Sequence, residues 1–242
     1  MQKIIIKNKA IFIADAHENE NRRGFWEFLQ ALKQKKLQTP QLFLMGDIFD
    51  LLVYEVKATH EFAKAYIDLL EELADEIEII YLEGNHDFNL AKFFKKVKVF
   101  NINQQPVLCE FQDHTPVKLA HGDIFLKPFL QFCLKSLRNS FLLRILNFLN
   151  IISKEKITQT ILKKQYKKQL TRKIPHFSSM VKERLKHYGA TFVIEGHYHQ
   201  DLFLQEEDVK YLNLPTFAYK ESFFIVEYNS EIRFHKIELK EA

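Results

Sequence analysis

Along the first hundred residues, short apolar runs alternate with stretches in which apolar residues recur every third or fourth position. "AIFIAD" (10–15) and "QLFLMGD" (41–47), the latter entered after Pro40, read as buried strands, as does "IEIIYLEGN" (77–85), which runs into a turn. Between them, "GFWEFLQALKQKK" (24–36) places Phe25, Phe28, Leu29 and Leu32 at helical spacing. "THEFAKAYIDLLEELADE" (59–76) does the same with Phe62, Tyr66, Leu69, Leu70 and Leu73. A short helix is expected near 89–95 and a longer one near 176–188. "KVKVFN" (96–101), "PVLCEF" (106–111), "PVKLAHGD" (116–123) and the apolar start of "FVIEGHYHQD" (192–201) read as further strands. Strands in hairpin-like order follow at 202–204, 209–213, 222–228 and 232–238. Strand and helix alternating early, with paired strands late, predict an α/β fold with helices outside two sheets. No internal repeat or clean boundary divides residues 1–242, which read as a single domain. Residues 125–175 read as an insertion within it.

The apolar strands share one feature. Each runs into a Gly or a turn, and Asp, Asn or His appears there: Asp15 and His17, Asp47, Asn85 and His86, His121, and His197 with His199. The C-terminal ends of strands are where α/β folds place their sites. Two histidines two apart on extended backbone point the same way, so His197 and His199 are expected to reach one shared object. The seven groups Asp15, His17, Asp47, Asn85, His121, His197 and His199 suffice for two divalent ions if one carboxylate is shared. Asp47 is the expected bridge, because a carboxylate has two oxygens and a neutral imidazole cannot bridge. Such a pair can clamp a phosphate and activate a water. Mixed nitrogen and oxygen ligands suit manganese, iron or zinc better than magnesium.

Composition narrows the setting. An apolar fraction of 47%, with 23 Phe but only 6 Gly and 6 Pro, excludes a disordered or low-complexity chain. The 2 cysteines, Cys109 and Cys133, suit a reducing compartment without a disulfide framework. The N-terminal apolar runs fall short of the roughly 7–15 residues of a signal peptide, and no run approaches the roughly 20 of a spanning helix. A cytoplasmic location is expected. The net charge of +4 is unevenly spread, since residues 127–173 hold twelve Lys and Arg against the single acid Glu155. In the same segment, "FLLRILNFLNII" (141–152) is apolar apart from Arg144, Asn147 and Asn150. A greasy, cationic helical segment suits a membrane surface or an acylated anion. Nucleic acid is disfavoured, because the cations sit among aliphatics rather than along an aromatic groove. No protein partner is indicated.

The strand-end motifs D-x-H (Asp15, His17), G-D-x-x-D (Gly46, Asp47, Asp50), G-N-H-D (Gly84 to Asp87), H-G-D (His121 to Asp123) and G-H-x-H (Gly196, His197, His199) resemble the calcineurin-like metallophosphoesterase family. The resemblance implies a four-layer α/β/β/α sandwich. It implies one metal held by Asp15, His17, Asp47 and His199 and a second held by Asp47, Asn85, His121 and His197, with manganese favoured. It gives His86 the role of touching the phosphate and Asp87 that of orienting His86. Length, motif spacing and the helical insertion between H-G-D and G-H-x-H, placed to act as a lid, are similar to the UDP-2,3-diacylglucosamine hydrolases of lipid A synthesis. Those enzymes release UMP and 2,3-diacylglucosamine 1-phosphate. Their best-known branch reads "GNRDF" where this chain reads "GNHDF". The resemblance implies an acylated nucleotide-sugar substrate and peripheral contact with the anionic cytoplasmic face of the inner membrane. Arg22, Arg23, Lys135, Arg138 and Arg144 are candidates for substrate contact. Two alternatives stay open: a phosphoesterase for another ester (nucleotide, phosphoprotein or nucleic acid), and a non-catalytic scaffold of the same fold.

Overall fold

The computed structural model describes residues 3–228 and 231–241. Its strands, in chain order, are β1 (Ile4–Ile5), β2 (Ile11–Ile13), β3 (Gln41–Leu44), β4 (Leu52–Val53), β5 (Glu78–Leu82), β6 (Asp87–Phe88), β7 (Lys98–Phe100), β8 (Val107–Glu110), β9 (Pro116–Ala120), β10 (Phe192–Glu195), β11 (Leu202–Glu206), β12 (Val209–Asn213), β13 (Ser222–Tyr228) and β14 (Ile232–Glu238). The helices are α1 (Gly24–Lys33), α2 (His60–Leu73), α3 (Pro128–Leu137), α4 (Ser140–Ile152), α5 (Lys156–Tyr166) and α6 (Phe177–Leu185).

All strands but β4 and β6, which pair with each other, form two six-stranded sheets, ordered β14-β13-β2-β3-β5-β7 and β1-β8-β9-β10-β12-β11. Strands buried on both faces still alternate, and the alternation decides which core each residue joins. Phe12, Phe43, Ile80 and Leu82 face inward and meet Val117, Leu119, Phe192, Ile194 and Leu212 of the other sheet. Ile11, Ile13, Leu42, Leu44, Ile79 and Tyr81 face outward beneath Phe25, Phe28, Leu29, Tyr66, Leu69 and Leu70 of α1 and α2. On the far side, α6 lays Phe177, Val181 and Leu185 over Val193 and Tyr211. The result is the expected α/β/β/α layering.

Local departures have local causes. The expected helix over 24–36 ends at Lys33, because Lys35 takes a left-handed φ of +56°. The helix expected near 89–95 is only a 3-10 turn, Leu90–Lys92, entered from Asn89 at φ +58°. The basic segment resolves into α3, α4 and α5. Asn139 caps α4 by accepting from the N–H groups of Phe141 and Leu142. Leu143 of α4 is seated on Val53 and Phe88. Both cysteines are free, Cys109 buried and Cys133 half-buried. No helix among the described residues is long and apolar enough to cross a membrane.

Candidate metal centre

In one sheet β2, β3 and β5 run parallel as neighbours, and in the other β9 and β10 do. Their C-terminal ends open at one rim of the sandwich, and all the strand-end motifs converge there. Asp15, His17 and His199 form one group of potential ligand atoms, and Asp47, His121 and His197 form another. A third, His17, Asp47 and His86, lies between and shares a member with each. Asn85 Oδ1 stands 3.3 Å from His121 Nε2, which adds it to the second group. Asp47 belongs to two groups, which is the position a bridging carboxylate requires.

His197 and His199 do not point at one object, as extended backbone would dictate. Strand β10 stops at Glu195, and both histidines take left-handed φ values, +63° and +56°. His197 turns to His121, with the ring nitrogens 3.2 Å apart, and His199 turns to Asp15, at 3.1 Å. Left-handed φ recurs at Asp15 (+54°), His17 (+45°) and Asp47 (+52°). Non-glycine residues adopt this region at a cost, and its concentration here is strain held by the surrounding strands. Gly46 and Gly122, at φ +87° and +122°, make the matching turns beside Asp47 and His121.

The tautomers follow from backbone carbonyls. His199 Nδ1 lies 2.7 Å from Leu170 O, and His121 Nδ1 lies 2.9 Å from Met45 O. A carbonyl only accepts, so each Nδ1 carries the proton and each Nε2 faces the site. His199 Nε2 then confronts Asp15 Oδ1, while His121 Nε2 confronts Asp47 Oδ2 at 3.4 Å. Asp15 Oδ1, Asp47 Oδ2, both His17 ring nitrogens and His199 Nε2 are buried with no hydrogen-bond partner among the described residues. Buried polar atoms are rarely left so, and lone pairs converging on common points need cations between them. The donor set therefore fits divalent ions.

In the metal-free protein, protons and charge pairing take part of that load. Burial tends to lower the pKa of His121, yet Asp47 and Asp123 outweigh it and push His121 up to about 10. Burial also works against the charged form of His199, but Asp15 raises it. Asp47 lies well below the carboxylate range, since His121 and His86 overcome its burial. His197 falls to about 4, from burial and then the charge of His121.

His86 places Nε2 3.7 Å from Asp47 Oδ2 and Nδ1 3.1 Å from Asp50 O. Its ring is thus oriented by the Asp50 carbonyl, not by Asp87. The Asp87 carboxylate turns away and accepts from the N–H groups of Asp47 (2.9 Å), Gly84 (3.0 Å) and Ile48 (2.6 Å) and from the Tyr81 hydroxyl (2.6 Å). Phe49 N–H, at 3.3 Å, is a fourth backbone donor, and four such donors outcompete one imidazole, so Asp87 welds the Asp47 and Asn85 loops together. Burial is the first reason its pKa rises to about 7, and Asp47 adds to it. Asp50 Oδ1 stands 3.3 Å from His17 Nδ1.

The candidate substrate residues separate widely. Arg22 donates to His17 O at 2.6 Å and lies at the rim. Arg23 packs over Trp26, Phe62 and Tyr66, away from the site. Lys135 is exposed on α3, and Arg144 on α4 lines a groove with Tyr54, His60 and Phe93. Arg138 is committed to Gly84 O and Asp123 Oδ2, at 2.7 and 2.8 Å.

Sequence reasoning passed over Lys168, whose Nζ stands 3.4 Å from His86 Nε2. It also passed over Gln105, which accepts from His121 N and donates to Glu83 O, and Asn213, which donates to Glu195 O and Gly196 O. Lys168 is one of twelve cations in its segment, and nothing in the one-dimensional pattern distinguishes it from the others.

The model of the calcineurin-like phosphoesterase family matches residues 9–201. Proteins named UDP-2,3-diacylglucosamine hydrolase are similar along most of their length. The one from Pseudomonas fluorescens (strain Pf0-1) is 27% identical over 199 residues, covering 78% of this chain and 79% of its own. That from Haemophilus ducreyi is 26% identical over 196 residues, with 78% and 83% covered. That from Wigglesworthia glossinidia brevipalpis is 25% identical over 207 residues, with 78% of each chain covered. The chain belongs to the calcineurin-like phosphoesterase family and is a metal-dependent phosphoesterase.

Proposed function

We propose that this enzyme hydrolyses the pyrophosphate bond of UDP-2,3-diacylglucosamine, releasing UMP and 2,3-diacylglucosamine 1-phosphate for lipid A synthesis. The observation that carries the substrate assignment is the outer face of α3, α4 and α5. Phe129 (79%), Phe132 (69%), Phe141 (73%), Phe148 (62%) and Ile152 (64%) stand in solvent there. Lys127, Lys135, Arg144, Lys154, Lys156, Lys163 and Lys164 are exposed among them. Soluble monomers rarely leave so many large apolar side chains uncovered on neighbouring helices, and the cations among them match an anionic acylated ligand. The same helices seat on the site through Leu143 and Arg138, so residues 125–175 act as a lid within one 1–242 domain. The similarity to proteins named for this substrate supports the reading.

Asp15, His17, Asp47 and His199 would hold one divalent ion, and Asp47, Asn85, His121 and His197 the other. Manganese is favoured over iron or zinc. Bound there, the ions supply polarisation of the phosphoryl oxygens and activation of a water. His86 would present Nε2, beside Lys168 Nζ, to the scissile phosphate, while Asp50 O keeps a proton on Nδ1. Lys168 adds a cation beside it, offsetting charge that grows as the phosphorus–oxygen bond breaks. The lid's apolar face shelters the acyl chains. Its cations, each contributing about 1 kcal/mol near anionic lipid, hold the enzyme at the cytoplasmic face of the inner membrane.

The test is UMP release from UDP-2,3-diacylglucosamine by pure protein with Mn²⁺, beside a generic aryl phosphodiester. UMP release that disappears in Asp47→Ala is expected. Turnover of the aryl ester alone would reject the lipid substrate and leave a phosphodiesterase of another specificity.

A further inference from the structure

The Arg138 side chain, at the C-terminal end of α3, is only 7% exposed. Its Nη2 donates both to Gly84 O at 2.7 Å and to Asp123 Oδ2 at 2.8 Å. Nη1 donates to Leu134 O at 3.2 Å, and the guanidinium lies 5.2 Å from the centroid of the Phe88 ring. The backbone is held as firmly as the side chain. Arg138 O accepts from Asn89 Nδ2, which also donates to Glu55 Oε2, and Glu55 Oε1 accepts from Ser140 Oγ of α4.

These two contacts fall beside two candidate ligands of the same ion. Gly84 immediately precedes Asn85, and Asp123 is two residues past His121. Gly84 is pressed against Asp47 so closely that any Cβ would overlap Asp47 Oδ1. A shift of the Gly84 peptide therefore moves Asn85 and disturbs Asp47. Asp123 is fully buried, and its other oxygen has no partner among the described residues. Arg138 is the charged group hydrogen-bonded to Asp123, and it comes from the helical segment rather than from the sandwich. The opposite ligand group, Asp15, His17 and His199, makes no hydrogen bond to Arg138 among the described residues.

We propose that Arg138 is a positioning residue for one ion only, the one held by Asp47, Asn85, His121 and His197. Seating of α3 and α4 on the sandwich thereby sets the geometry of that half of the metal centre. The inference rests on the two-ion reading of the site, and the experiment separates the two.

Metal-free protein is dialysed against graded Mn²⁺ and the bound ions are counted. Wild type taking up two ions supports the two-ion reading, and a single ion would overturn that reading together with this inference. In Arg138→Met, which keeps an apolar stem against Phe88, one ion should bind as in wild type and the second about 10–100-fold more weakly. Arg138→Lys should restore part of the loss. A purely structural role predicts a lower Tm with both ions equally affected, or neither, and either result would overturn the inference. If Arg138→Met does not fold, Asp123→Asn, which keeps the size of the side chain, carries the same comparison. In the double variant the losses should not add, because both changes break one contact.

Discussion

His199 Nε2 and Asp15 Oδ1 face each other across 3.1 Å, while Leu170 O fixes the other ring proton of His199 on the far side. Two lone pairs at that distance require a proton or a metal between them. The same conflict recurs at His121 and Asp47, at 3.4 Å.

Metal uptake should therefore release protons. His121 is pushed up to about 10, and His199 is also raised, so at neutral pH the metal-free protein holds protons that an ion must displace. Mn²⁺ affinity should rise with pH through the neutral range. Calorimetry in buffers of different ionisation enthalpy should show at least one proton released per chain. A buffer-independent enthalpy would contradict protonation of these histidines in the metal-free protein. The stability of the metal-free protein should run the other way. A histidine whose folded pKa lies above its unfolded value of about 6.5 stabilises the fold below that value. That contribution is lost as pH climbs towards 10. Saturating Mn²⁺ should raise Tm, and a chelator should reverse the rise.

Lys168→Ala should lower kcat/KM on the order of 100-fold while leaving Tm nearly unchanged, because the residue is exposed. Mn²⁺ binding should hold, since Lys168 Nζ is directed at His86 rather than at a proposed metal ligand. Loss of metal together with activity would give Lys168 a structural role instead.

The exposed face of α3, α4 and α5 should bind vesicles containing anionic phospholipid and release them as salt rises. Phe141→Ser with Phe148→Ser should weaken sedimentation with vesicles and slow hydrolysis of the acylated substrate. Turnover of a soluble aryl diester should be unaffected. Equal losses on both substrates would point to misfolding of α4 and away from lipid contact.

Arg184 and Glu195 form a buried pair at 2.5 Å, and Arg184 also donates to Gly122 O and Ile124 O. Glu195 accepts further from the Tyr188 and Tyr211 hydroxyls. Arg184→Met strands a buried carboxylate and should cost about 3–5 kcal/mol, a fall in Tm on the order of 10 °C. Adding Glu195→Gln should recover part of it. Thermal melts of Arg184→Met, Glu195→Gln and the double variant decide this, and a fully additive double variant would show that the pair is not coupled.

The sequence by itself determined the layers and picked out the candidate ligands that the structure brings together. Strand β3 shows why: Leu42 and Leu44 face one core and Phe43 the other, so period-two alternation dictates two packed faces with no further information. The motif residues were legible for a similar reason, since each ends an apolar run beside a turn and the chemistry of Asp, Asn and His is fixed by residue type. Only the tertiary structure decided how they divide. His197 and His199 separate because the backbone beyond Glu195 leaves the extended region, and that strain is sustained by Asp15 from the facing sheet and His121 from the parallel strand beside β10. Asp87 goes to four backbone donors because Asp47, Ile48 and Phe49, some forty residues away in the chain, arrive beside it and Gly84. Arg138 and Lys168 belong to the same basic segment, yet one is buried against Asp123 and the other faces His86. Local pattern assigns a residue its type of partner, but contacts between distant strand ends assign the partner itself.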